Sequence, residues 1–271
     1  MKTIKSSSGR RLRALVSAAA LLAAAAAVPA SAEPAREDTA VARLSYAETG
    51  VVLQPQERNE WTEGERNAPL LAGDRVYTEA GSRAEIEFED GLTTRLDGDT
   101  FVELLELDAS TVRLLVLSGS VAATVPDRAD HLHTEIIAAE SRILPSRGSW
   151  VRVTCTNTTS VLTRVHRGDA DLITPEGRRT RLRRGEIARV DAGVLETGLD
   201  RTGRDGFDRW CDLRDARHAV AARRSHLDVP LAGTAELHRH GDWITTVEYG
   251  RVWRPSGCGP EWAPYRCPLP I

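Results

Sequence analysis

Glu236, His238, His240 and Asp242 alternate along the chain, and on an extended strand all four would project from one face, as a divalent metal site requires. The same alternation also makes a solvated polar face, and that is the reading we adopt. His131 and His133 repeat the spacing with fewer neighbours. Asp97-Gly98-Asp99 has the start of a calcium loop without its remaining ligands, so it reads as a turn. There is no CxxC pair, nucleophile elbow, HExxH helix or phosphate-binding loop. The only lysines are Lys2 and Lys5, which fall in an export signal described below. A mature chain without lysine has no Schiff base, Ser-Lys dyad or phosphate-loop lysine. The sequence names no catalytic residue, cofactor or metal, and the expectation is a protein without enzymatic activity.

Two residue sets remain. Cys155, Cys211, Cys258 and Cys267 are even in number, and in an oxidising compartment four cysteines allow three pairings. Cys258 and Cys267 close a short Pro/Gly-rich loop and are the favoured pair; Cys155 with Cys211 would tie a β-rich body to the helix after it. Trp243, Tyr249, Trp253, Trp262 and Tyr265 are half of all the Trp and Tyr in the chain. Such aromatics bind a protein partner or stack on sugar rings, or they form a miniature core where Leu and Ile are scarce. The core reading is preferred, with one or two rings free to serve both.

The elements that hold these residues begin after residue 32. Lys2, Lys5, Arg10, Arg11 and Arg13 precede an alanine-rich run over 14–28, and Ala30-Ser31-Ala32 supplies small-x-small, so cleavage before Glu33 is expected. The run is too short and too weakly apolar for a membrane span. The protein is therefore expected outside the cytoplasm, in the periplasm or medium. Without the signal the 36 basic residues fall by five while all 39 acids stay, giving a net charge of −8. That balance argues against nucleic acid as a partner.

Residues 33–40 read as a flexible leader and 41–191 as one β domain. Glu85-Ile86-Glu87-Phe88-Glu89 alternates, which predicts Ile86 and Phe88 inside and the acids in solvent. Asp90-Gly91 then turns the chain toward a partner strand at 92–96. Leu70, Val116, Val165 and Leu182 each stand three residues before a glycine: Gly73, Gly119, Gly168 and Gly185. Each glycine allows a corner with φ > 0, and an apolar residue follows it (Val76, Val121, Ala170, Ile187). Uneven repeats of this kind suit a β-solenoid or an open sandwich. Arg178 to Arg184 is a basic run, best read as a strand edge guarded by charge, with anionic lipid or cell-wall polymer as the other candidate contact.

The order and spacing of Leu70-Leu71-Ala72-Gly73-Asp74-Arg75-Val76, Ser82-Arg83-Ala84-Glu85-Ile86, Asp90-Gly91 and Leu96-Asp97-Gly98-Asp99-Thr100 resemble the core of a FecR-type domain. Leu117-Ser118-Gly119-Ser120-Val121, Arg147-Gly148-Ser149-Trp150-Val151 and Arg167-Gly168-Asp169-Ala170 continue the resemblance across 41–191. It implies an extracytoplasmic, mainly β module with solenoid character and no catalytic residues. FecR-type sigma regulators place a cytoplasmic anti-sigma segment and a membrane helix ahead of this module; here a signal peptide precedes it. The resemblance therefore carries the domain rather than the regulator's transmembrane mechanism.

A glycine-rich hinge is expected over 192–206 and a helix after it, capped by Asp205 or Asp208, with Phe207, Trp210, Leu213 and Val220 as its apolar stripe. Phe207-Asp208-Arg209-Trp210, Glu248-Tyr249-Gly250-Arg251-Val252-Trp253 and Glu261-Trp262-Ala263-Pro264-Tyr265 are similar to a shortened form of an uncharacterised domain often found behind FecR-type domains. The fold expected is mainly β: a FecR-like β-solenoid or β-sandwich, one helix, and a small aromatic tail stapled by a disulfide within 207–271. The function expected is an exported envelope module that binds or scaffolds a protein partner. Its alternatives are a periplasmic sensing module and a binder of cell-wall glycan.

Overall fold

A computed structural model of the protein describes residues 40–89, 91–129, 131–225, 232–237 and 240–257. The first strands are β1 (Ala42–Ala47), β2 (Val51–Gln54), β3 (Thr62–Glu63), β4 (Pro69–Leu70), β5 (Arg75–Thr78), β6 (Ala84–Glu87), β7 (Thr93–Leu96), β8 (Thr100–Leu107) and β9 (Thr111–Thr124). They continue as β10 (His133–Ala138), β11 (Ser141–Pro145), β12 (Trp150–Asn157), β13 (Ser160–Arg167), β14 (Asp169–Ile173), β15 (Arg179–Arg183), β16 (Glu186–Asp191) and β17 (Val194–Leu199). The helix α1 (Gly206–Ser225), a helical turn α2 (Thr234–Leu237) and the hairpin β18 (Gly241–Thr246) and β19 (Gly250–Pro255) follow.

The strands form two open sheets that share β9. One sheet runs β4-β1-β6-β7-β9-β12-β13-β16-β17. The other runs β3-β2-β5-β8-β9-β10-β11-β14-β15, and its β9–β10 pair is parallel where every other pair is antiparallel. The first part of β9 pairs with β8 and β10, and the second part, from Gly119, pairs with β7 and β12. The strand changes sheets at Gly119, whose φ is 84° and whose absent Cβ would lie 2.5 Å from Thr100 Cα. Only glycine fits there.

The inner faces of both sheets meet in one apolar core. Ile86, Leu96, Val121 and Val153 come from the first sheet, and Val76, Val102, Leu114, Ile136 and Leu172 from the second. Alternation along each strand produces this face, since every second side chain points to the partner sheet. Gly73, Gly119, Gly168 and Gly185 all have positive φ, and the apolar residues before them are buried, so the punctuation in the sequence marks real corners.

The sheet extends further than the sequence shows. Val194–Leu199 lies in the expected hinge, yet all six residues pair with β16, leaving 200–205 as the connection to the helix. Among the described residues no helix is long and apolar enough to cross a membrane.

Candidate functional site

The outer face of the first sheet carries a row of residues set side by side by strand register: Glu85 opposite Arg95, Arg95 opposite Ala122, Ala122 opposite Arg152, and Arg152 opposite Arg164. Their strand neighbours Ile86, Leu96, Val121 and Val153 point into the core, so this row points away from it. Alternation alone would leave the row in solvent. Instead α1 lies on it, and Glu85 and Arg95 are both 0% exposed. The expectation that the acids of β6 face water is corrected here: Glu85 is covered by the helix, and Glu87 is buried with Arg43 2.5 Å away.

The helix meets this face through Phe207, Trp210, Cys211, Arg214, Asp215 and His218, which recur at helical spacing. The stripe drawn from apolarity alone is corrected in its second half. Leu213 is 63% exposed and Val220 41%, because the matching face of the sheet is charged and selects Arg214 and His218 instead.

At the middle of the row the small Ala122 side chain leaves room for an apolar patch of Trp150, Phe207 and Cys211, with Trp210 against it. Arginines lie over its rings: Arg152 5.0 Å from the Phe207 centroid, Arg83 5.5 Å from Trp210 and Arg204 4.5 Å from Trp150.

Glu85 is the centre of one charged cluster. Its carboxylate accepts from Arg95 Nε at 2.7 Å, from Arg214 Nη2 at 2.5 Å and Nε at 3.1 Å, and from Ser45 Oγ at 2.7 Å. His218 Nε2 lies 3.0 Å away. Asp215 completes the set, 2.8 Å from Arg95 Nη2. Burial opposes the charge on Glu85, but His218, Arg214 and Arg95 together hold its carboxyl far below the usual carboxylate range.

The second cluster holds the helix start. Asp205 Oδ1 accepts the Asp208 backbone N–H at 2.9 Å, and Asp208 Oδ2 accepts the Asp205 N–H at 3.2 Å. This is a reciprocal cap built from two aspartates. Arg152 Nη1 reaches both, at 2.5 Å and 3.1 Å, so one guanidinium ties the cap to the sheet. Burial works against the Asp205 charge, yet the capped amides and Arg152 hold its carboxyl below the usual value. His166 packs on Trp150 at 3.9 Å between ring centroids. Burial pushes its pKa down to about 4, so the imidazole is neutral near pH 7. Each carboxylate in the two clusters is matched to a cation or an amide, and the arrangement grips a helix.

Cys155 and Cys211 are both buried free thiols. Cys155 belongs to the inner core and Cys211 to the outer patch, on opposite sides of the sheet, so the expected bond between them is not formed. Burial raises the Cys211 pKa to about 12 and raises that of Cys155 as well. Cys258, Cys267, Trp262 and Tyr265 lie outside the described residues, as do Ala32 and Glu33.

Trp243 and Trp253 face each other across the β18–β19 hairpin, both half-buried, and Trp253 Nε1 donates to Leu237 O at 3.1 Å. Tyr249 sits at the hairpin tip and is 71% exposed. The extended run that would align Glu236 with Asp242 is not formed: of the three that are described, Glu236 lies in α2 and pairs with Arg66, His240 is in a turn, and Asp242 is in a strand. His238 lies outside the described residues. Asp97-Gly98-Asp99 is a turn, with Asp97 3.3 Å from Arg83. Within the basic run, Arg179 and Arg181 pair with Asp171 across the last strand pair of the second sheet.

Sequence reasoning missed the charged row. Its one signal was the coincidence of Glu85 and Arg95 on facing strands of a hairpin with Arg214 and His218 four apart on a helix.

No family profile matches this sequence, and no curated protein matches it. Two crystal structures, at 1.65 and 2.50 Å, of a protein from Parabacteroides distasonis ATCC 8503 provisionally described as an anti-sigma factor are similar to it. Each matches at 14% identity and a TM-score of 0.41, covering 55% of this chain and 64% of that one. The chain thus spans less than two thirds of the length of the structures it matches.

Proposed function

We propose that the protein is an exported, non-enzymatic module of FecR type that senses an envelope protein partner, with α1 as the element that responds. One observation carries this reading: a twenty-residue helix is held on a sheet by two buried charge clusters around a small apolar patch. Buried ion pairs fix orientation strongly while adding little net stability, because desolvation offsets most of the attraction. A helix held so can exchange its partners for those of another protein at small net cost. The net charge of −8 after signal removal supports a protein partner over nucleic acid. Ala30-Ser31-Ala32 supports export, with Glu33 as the mature N-terminus. In that compartment Cys258 and Cys267 would close the tail loop, which non-reducing peptide mapping would read directly.

The test is photo-crosslinking in intact cells, with the reactive group at exposed Leu213 on α1 and, as control, at exposed Val247 on the tail hairpin. A protein adduct specific to Leu213, changed in yield when Glu85→Ala releases the helix, is the expected result. No adduct, or equal adducts at both sites, would overturn the reading. A polysaccharide adduct at Val247 would instead favour glycan binding by the aromatic tail.

A further inference from the structure

The two sheets end in edge strands of opposite character, and one edge matches itself. Among the described residues β15 pairs only with β14, and β17 only with β16. β15 reads Arg-Thr-Arg-Leu-Arg, a charged edge of the kind that discourages pairing with another chain. β17 reads Val-Leu-Glu-Thr-Gly-Leu, has a single charge, and exposes Val194 by 64% and Leu199 by 65%.

The hydrogen-bonding side of each β17 residue is fixed. A two-residue turn at Ala192 (φ 47°) and Gly193 (φ 82°) joins it to β16, and Asp191 faces Val194 as the closing pair. Asp200 N–H, one position past the strand, donates to Gly185 O at 2.8 Å and so keeps the even-numbered residues in bonds to β16. In an antiparallel ladder the bonding direction alternates. Leu195, Thr197 and Leu199 therefore turn their N–H and C=O groups to the open edge.

We infer that β17 is a self-association edge, and that a second copy of this chain adds to it antiparallel about a two-fold axis at Thr197. In that register Thr197 faces Thr197 of the second copy, and Leu195 and Leu199 face each other reciprocally. The residues brought opposite one another are those with unused main-chain groups, so each pair exchanges both of its bonds. The leucines meet on the face where Leu195 already packs on the core. Glu196 falls opposite Gly198. The neighbouring register, centred on Glu196, would set two like charges face to face, which disfavours it. The contact is isologous and closes on itself, which gives a dimer and not a fibre.

Sedimentation velocity of the full exported chain over roughly 1–100 μM, the range where small interfaces assemble, tests this. The wild type is expected to shift from monomer to dimer. Thr197→Pro removes an N–H that β16 does not use, and Thr197→Arg sets two guanidinium groups on the axis. Each is expected to weaken the dimer at least about tenfold with an unchanged circular dichroism spectrum. Independently, Thr197→Cys is expected to give a disulfide between the two copies under mild oxidation, and Glu196→Cys is not. A wild type that stays monomeric throughout, a dimer untouched by both the proline and the arginine variant, or a crosslink from Glu196→Cys as efficient as that from Thr197→Cys would each overturn the inference.

Discussion

The two faces of the first sheet are made from the same strands and solve different problems. Ile86 and Leu96 point inward to an apolar core; Glu85 and Arg95, one residue earlier on each strand, point outward into a buried salt bridge beneath a helix. The inner face is held by area removed from water, which is not directional. The outer face is held by charges whose partners must be in place. The first sets how firmly the sandwich folds, and the second sets where the helix lies.

The largest effect is expected where the outer face loses its centre. Glu85→Ala strips Arg214 of its carboxylate and leaves the buried Arg95 with Asp215 alone, and should cost about 3–5 kcal/mol. Its signature should be early exposure of Cys211 to alkylation while the inner core stays protected. Ile86→Ala should cost about 2–5 kcal/mol and lower the stability of the whole sandwich in one step, with no selective exposure of Cys211. Denaturant titrations with parallel thiol labelling separate the two outcomes; identical labelling curves would erase the distinction between the faces.

Acid should act on the outer face first. His166 has its pKa lowered to about 4 from 6.5, so the unfolded chain takes up its proton first, and this contribution fades as pH falls from about 6.5 towards 4. Glu85 is also depressed, so its contribution is full above its ordinary value of 4.5 and fades as pH drops below that. Both signs point the same way: Cys211 labelling, expressed at each pH relative to the fully unfolded chain because thiolate is lost as pH falls, should rise on acidification through pH 6.5–4, and His166→Phe should remove the upper part of that response.

At the helix start, Arg152→Lys keeps the charge and loses the planar group that reaches both Asp205 and Asp208, for an expected cost of roughly 1–2 kcal/mol. Asp205→Ala removes the cap itself, at about 1 kcal/mol. Arg181 is half-exposed in its pair with Asp169, and Arg181→Ala should change stability by less than about 1 kcal/mol. Urea midpoints rank the three, and an Arg181 variant as damaging as Arg152→Lys would show that burial does not separate these pairs.

The inner face was legible in the sequence because alternation and glycine corners are local signals. Ile86 and Phe88 are inside, and Gly73, Gly119, Gly168 and Gly185 turn where their spacing says they should. The outer face was not legible, because Glu85 and Arg214 are 129 positions apart and a charged residue on an alternating strand reads as solvated. The same fact misdrew the helix stripe: Leu213 counted among its apolar members, yet the sheet beneath selects Arg214. Cys155 and Cys211 counted as a pair by number, and only the placement of the sheet between them shows that they face different interiors. The strand at 194–199 was hidden by its glycines, since Gly193 forms a hairpin corner and Gly198 lies within the ladder.

The strand β9 belongs to both sheets, crossing between them at Gly119. Neither sheet has a complete middle without it, so the two cannot melt separately. Heating should give a single calorimetric transition across the sandwich, whose van't Hoff and calorimetric enthalpies agree. A chain cut at Gly119 would yield two pieces, each carrying half of the strand the other needs. Neither piece should hold a folded sheet alone, and mixing the two should restore the sandwich.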